Sequence, residues 1–157
     1  MATFEELFIR RDEPVDVAAR GLAADLGMAV IEGDGRFYLR RAAMDGVGEV
    51  GGEVYRNNFA NTESEGGAQA FDGYGIVFGI WTTESSLLKQ SSEARQIFRE
   101  LSLKRPDTAM VLTHDLDLIV AAHSHEHGTH EFPEETTVDV GDEPVWRPWV
   151  VGLGSDR

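Results

Sequence analysis

Met28-Ala29-Val30-Ile31-Glu32-Gly33-Asp34-Gly35-Arg36-Phe37-Tyr38-Leu39-Arg40 decides the fold class. Apolar residues flank Gly33-Asp34-Gly35, and Asp and Gly tolerate the left-handed backbone that a tight hairpin turn needs. Strands joined this way run antiparallel. Upstream, Val15, Ala18, Ala19, Leu22 and Leu26 fall on one face at helical spacing. Asp12 or Glu13 is placed to cap that helix, Pro14 to sit in its first turn and Gly27 to end it. The spacing predicts a helix over 13–26, preceded by a strand over 4–10. The hairpin strands are expected over 28–31 and 37–40, and a third strand over 49–59.

The pattern then restarts. An apolar strand is expected over 75–81. A helix over 91–104 follows, with Ala94, Ile97, Phe98 and Leu101 on one face, Lys104 and Arg105 at its C-terminal end, and Pro106 as the stop. Strands over 109–113 and 118–122 meet around His114-Asp115-Leu116-Asp117, and a further strand is expected over 136–140. The reading is an α+β fold: a mostly antiparallel sheet with two main helices on one side, as two βαββ(β) units in pseudo-repeat. The halves would span 1–60 and 74–145 of one domain, 1–157, with a polar loop over 61–70. This element order resembles the paired βαβββ modules of the glyoxalase/vicinal-oxygen-chelate group. The likeness implies a fold only, because function sits in a site and not in element order.

Composition narrows the function classes. The chain has no Cys, which excludes disulfides, thiolate metal sites and a Cys nucleophile. No stretch approaches the ~20 apolar residues of a membrane span, and no apolar signal-like run opens the chain, so the expected setting is cytoplasmic. A formal net charge of −14 speaks against nucleic acid and anionic membranes as direct ligands, since both call for clustered Lys and Arg. It favours a basic protein partner. Arg greatly outnumbers Lys, which occurs only at 89 and 104, a bias consistent with a GC-rich bacterial genome.

The charge is uneven. Between Arg105 and Arg147 lie ten Asp or Glu, all five His and no Lys or Arg. Within that stretch His123, His125 and His127 alternate, so they would share one face if the preceding strand continued. His130 or Glu131 would then supply a further ligand across Gly128, a set suited to a divalent transition metal such as Zn. The spacing of His125, His127 and Glu131 resembles the first metal motif of the cupins. The upstream Gly of that motif is missing, however, and the remaining chain is too short for a second motif. The other reading of this segment is a polar loop.

Three further segments carry candidate chemistry. Gly46-Val47-Gly48-Glu49-Val50-Gly51 matches a phosphate-loop pattern, but no helix follows to hold a phosphate, so these Gly are read as a bend or bulge. His114 beside Asp115 and Asp117 is an acid–base pair or ordinary turn chemistry, and turn chemistry is favoured. The tail 143–151 bears Trp146 and Trp149 and either straps across the core or exposes an aromatic anchor.

Two functions are carried forward. The first is an acidic, non-enzymatic binding or inhibitor protein without a cofactor. It would dock on a basic partner, as an immunity protein neutralising a bacterial toxin does. Its contacts would be Glu134, Glu135, Asp139, Asp142 and Glu143, with Phe132, Trp146 and Trp149 as anchors. The second is a small metal-dependent enzyme or metal binder using His123, His125, His127, His130 and Glu131. The absence of a second convergent motif favours the first.

Overall fold

The computed structural model describes residues 4–58, 69–84 and 86–151. The elements run β1 (Glu5–Ile9), α1 (Val15–Leu26), β2 (Ala29–Gly33), β3 (Arg36–Ala42), β4 (Glu49–Arg56), β5 (Ile76–Thr82), α2 (Leu87–Lys104), β6 (Met110–His114), β7 (Leu118–Ser124) and β8 (Gly128–Glu131). The eight strands form one antiparallel sheet in the order β2-β3-β4-β5-β1-β6-β7-β8. Strand–helix–three strands therefore occurs twice, but the sheet does not treat the halves as equivalents. The last strand of the first half, β4, lies next to the centre. The last strand of the second half, β8, is an edge.

The local signals act largely as expected. Gly27 ends α1 in the left-handed conformation (φ 65°), which lets its N–H return to the Ala23 carbonyl. Pro14 takes the N-cap position of this helix and no side chain caps it, so α1 begins later than the Asp12 and Glu13 signals suggest. Helix α2 begins earlier than its apolar spacing, because the Ser86 hydroxyl accepts the Lys89 N–H. Asp34 and Gly35 carry the positive φ of the first hairpin (53° and 76°).

Both helices pack on one face of the sheet. Ala18, Leu22 and Leu26 of α1 and Ala94, Ile97, Phe98 and Leu101 of α2 meet Leu7, Ile9, Leu39, Val54, Phe78 and Leu112 in the larger core. The other face carries Phe8, Val77, Val111 and Ala122, and these are covered without a helix pair. Ala70, Phe71 and Tyr74 pack there from one side, and Val138, Trp146 and Val150 from the C-terminal segment. Phe71 stacks on Phe8 with ring centroids 4.5 Å apart. The Tyr74 hydroxyl accepts the Val151 N–H, tying the two covering segments together.

Two expectations are corrected. Residues 136–140 form no strand. They make a single bridge, Leu118 to Thr137, before a run of short helical turns at Val140–Asp142, Glu143–Trp146 and Arg147–Trp149. The eighth strand is Gly128–Glu131, drawn from the His-rich segment. The 61–70 loop falls mostly outside the described residues.

Trp146 is fully buried, and its indole N–H donates to the Thr137 carbonyl at 3.1 Å. Trp146→Ala is expected to cost about 3–5 kcal/mol in chemical denaturation, the range for deleting a buried aromatic ring. A loss below about 1 kcal/mol would show that the strap is not part of the cooperative core.

Candidate functional site

Among the described residues, the covering segments leave part of the second sheet face open. The gap lies toward the N-terminal end of β1, one row beyond Phe8. There Tyr38, Glu53, Gly79, Glu6 and Thr113 stand in register across β3, β4, β5, β1 and β6. With Phe4, Tyr55, Trp81, Asp115 and Leu116, four members of this row line a groove of about 540 Å³; Thr113 stands behind them. Among the described residues no Lys, Arg or His lines it. Arg36 approaches from the rim, hydrogen-bonded to Tyr38 with Glu53 nearby.

Glu6 is the chemical centre of the groove. It is 5% exposed although it sits on a central strand with a charged side chain. Its Oε1 accepts the Thr113 hydroxyl at 3.0 Å and the Leu116 N–H at 3.1 Å. Among the described residues nothing hydrogen-bonds its Oε2. Burial pushes its carboxyl up to about 7, the charges of Glu5 and Asp115 add to that, and the two hydrogen bonds oppose it. Tyr55, whose ring edge comes within 3.5 Å of where a Cβ on Gly79 would sit, is raised to about 12 by burial and by the charges of Glu6 and Glu53, so it stays a neutral phenol.

The turn beside Glu6 is strained to serve it. Asp115 and Leu116 both have positive φ (55° and 63°), and Leu is a poor residue for that conformation. The strain aims the Leu116 N–H at the buried carboxylate. Gly51 and Gly52 of β4 lie beside the row. A Cβ on Gly51 would run into the Leu39 carbonyl and one on Gly52 into the Gly79 carbonyl, so these glycines permit close strand packing and no phosphate loop exists.

The sequence-derived metal set is not brought together. The alternation of His123, His125 and His127 ends because the chain turns after Ser124, whose hydroxyl accepts the His127 N–H at 3.0 Å, and Gly128 (φ 73°) starts the return strand. His123 is buried; its Nε2 donates to the Pro106 carbonyl at 2.8 Å and its Nδ1 contacts the Thr129 hydroxyl at 2.7 Å. A carbonyl only accepts, so Nε2 carries a proton and both ring nitrogens are engaged. His125 pairs with Asp107 (2.8 Å) on the surface, His130 stacks on Trp149 (centroids 3.9 Å apart), and Glu131 is paired with Arg95 (2.7 Å). Among the described residues no group of three or more His, Asp or Glu could hold a metal ion.

The expected partner-binding residues divide. Trp146 is core and is corrected as an anchor. Asp142 accepts both the N–H and hydroxyl of Thr137, Asp139 accepts from Gln69, and Glu143 pairs with Arg147. These acids hold the strap together. Phe132 and Trp149 are half-buried around His130, with Phe132 edge-on to both rings. Glu134 and Glu135 are exposed and rim a smaller cavity of about 280 Å³ on the helix side. The buried Glu5 holds His114 Nδ1 there at 2.7 Å, so His114 pairs with Glu5 and not with Asp115 or Asp117. Sequence reading missed Glu5, Glu6 and Glu53. The available signal was two carboxylates inside the otherwise apolar run Phe4-Glu5-Glu6-Leu7-Phe8-Ile9.

No protein-family model, curated protein or solved structure matches the chain. No helix among the described residues is long and apolar enough to cross a membrane.

Two outcomes are expected. Glu6 is raised in the folded state, so its contribution to stability is fully present below about 4.5 and lost as pH rises through 7. Glu6→Gln keeps an acceptor for Thr113 and Leu116 and removes that loss. Thermal melts should find the variant about 1–3 kcal/mol more stable than the parent at pH 8 and nearly equal at pH 5; a pH-independent difference would contradict the assignment. Added Zn²⁺ should leave the melting temperature unchanged, whereas a rise abolished by His125→Ala would restore the metal reading.

Proposed function

We propose that the protein is a non-enzymatic binding protein that docks on a basic protein partner through the groove on its open sheet face. The groove itself carries the reading: aromatic walls of Phe4, Tyr38, Tyr55 and Trp81 surround Glu6, Glu53 and Asp115, with no basic side chain in the lining among the described residues. Aromatic rings supply contact area at low entropic cost, and a one-sign charge field speeds encounter with an oppositely charged partner. The net charge of −14 reinforces that field over the whole surface.

The proposed setting is the cytoplasm of a bacterial cell, with the partner a toxin whose basic catalytic surface is covered, as an immunity protein covers its cognate enzyme. The docking surface differs from the acidic tail, because Asp139, Asp142 and Glu143 are spent on internal hydrogen bonds and an ion pair. A metal-dependent activity has no supporting ligand set among the described residues.

The test uses a purified basic bacterial nuclease toxin as the probe, with association followed by stopped flow across a salt series. The triple variant Glu6→Gln, Glu53→Gln, Asp115→Asn should associate at least about tenfold more slowly at low salt and lose most of the salt dependence. The pair Glu134→Gln, Glu135→Gln, on the other face, should change the rate by less than about threefold. Equal effects of the two variants would sink the groove as the docking surface.

A further inference from the structure

We propose that the groove is a receptor for a single arginine side chain of the partner, its guanidinium seated over Gly79 between Glu6 and Glu53. This rests on reading the groove as the docking surface and names what enters it.

The argument begins with register. Gly79 is paired with Glu53 on one side and with Glu6 on the other, so the two carboxylates flank a residue without a side chain. Adjacent strands lie about 4.7–4.9 Å apart, which puts the backbones of Glu6 and Glu53 roughly 10 Å from each other. That span leaves room for one planar cation with donors facing both ways. A guanidinium has five N–H donors in a rigid fork, whereas an ammonium is a compact point charge. Tyr55 marks the wall of the seat: a Cβ on Gly79 would meet its ring at 3.5 Å and its hydroxyl at 3.7 Å. Tyr38 and Trp81 line the same groove, and aromatic faces stack on guanidinium.

Glu6 lines the groove beside this seat. Its Oε1 is held by Thr113 and Leu116, which fixes the carboxylate, while Oε2 has no hydrogen bond among the described residues. A carboxylate this buried makes little sense for stability, since isolation raises the energy of its charged form. An arriving cation relieves that cost and displaces the proton. Titratable or charged groups around Glu6 are Glu53 and Tyr55 from β4, Tyr38 from β3 with Arg36 hydrogen-bonded to it at the rim, Asp115 from the β6–β7 turn and, from the opposite sheet face, Glu5. The carboxylates favour cation uptake, and Arg36 beside Glu53 opposes it.

The experiment is a two-dimensional amide NMR titration of the full chain with N-acetyl-arginine amide, using the neutral citrulline analogue and N-acetyl-lysine amide as controls. Shifts are expected at Gly79, Glu6, Glu53 and the Trp81 indole. Lysine should bind at least fivefold more weakly and citrulline not at all. Affinity should rise about tenfold from pH 6 to pH 8, as a site with a group titrating near 7 requires. Glu6→Gln should weaken binding at least tenfold. Gly79→Ala, whose Cβ meets Tyr55 only at ordinary contact distance, should do the same without changing charge. Scattered shifts, equal binding by lysine, or unaltered binding by Gly79→Ala would each overturn the arginine seat. If the amide fails to bind while the triple groove variant still slows association with a basic protein, the seat falls and the docking surface stands.

Discussion

Strand β1 is hydrogen-bonded on both edges by strands from the far half of the chain, β5 and β6, and the remaining architecture depends on that placement. It makes five N-terminal residues the centre of an eight-stranded sheet. All five are buried, so every side chain on β1 must find a partner or define a cavity. Leu7 and Ile9 go to the helices and Phe8 to the strap. Glu5 and Glu6 remain, on opposite faces. Glu5 meets His114, its cross-strand neighbour, and Glu6 meets Thr113. Two buried carboxylates on adjacent residues cost stability, and each lines an opening in the surface.

The second constraint is how the described residues cover the far face of the sheet. Two helices protect the first face. The second is closed by Phe71 and Tyr74 on one side and by Trp146 and Val150 on the other. Among the described residues this cover reaches the row of Phe8, Val77 and Val111 and stops short of Tyr38, Glu53 and Gly79. The groove is thus the unclosed part of a core, which explains its mixture of aromatic rings, a glycine floor and a buried carboxylate. The strained Asp115-Leu116 turn fits the same picture, since its N–H stabilises Glu6 against a backbone cost of roughly 1–2 kcal/mol.

Legibility followed the range of the forces. The Asp34-Gly35 hairpin, the apolar stripe of α1 and its Gly27 terminus, and the α2 stripe ending at Lys104 were all readable, because turn chemistry and helical periodicity act within a few residues. The His segment was misread where one local assumption failed. Alternation implied a shared face, but the Ser124 hydroxyl and Gly128 reverse the chain and send His123 inward and His125 outward. Acidic residues of the tail were legible as charges and not as roles. Asp142 and Glu143 prove to be internal partners of Thr137 and Arg147.

The amino-acid sequence by itself determined the element types, most of their order, the antiparallel character and the strong negative field, all consequences of short-range pattern and composition. Tertiary structure alone decided that β1 lies between β5 and β6, that Trp146 is core, and that Tyr38, Glu53, Gly79 and Glu6 form one row. The physical reason is that burial belongs to strand pairing over 70 or more residues of chain, and no local pattern records it. A glutamate beside a leucine in a strand reads the same whether it points at water or at a groove.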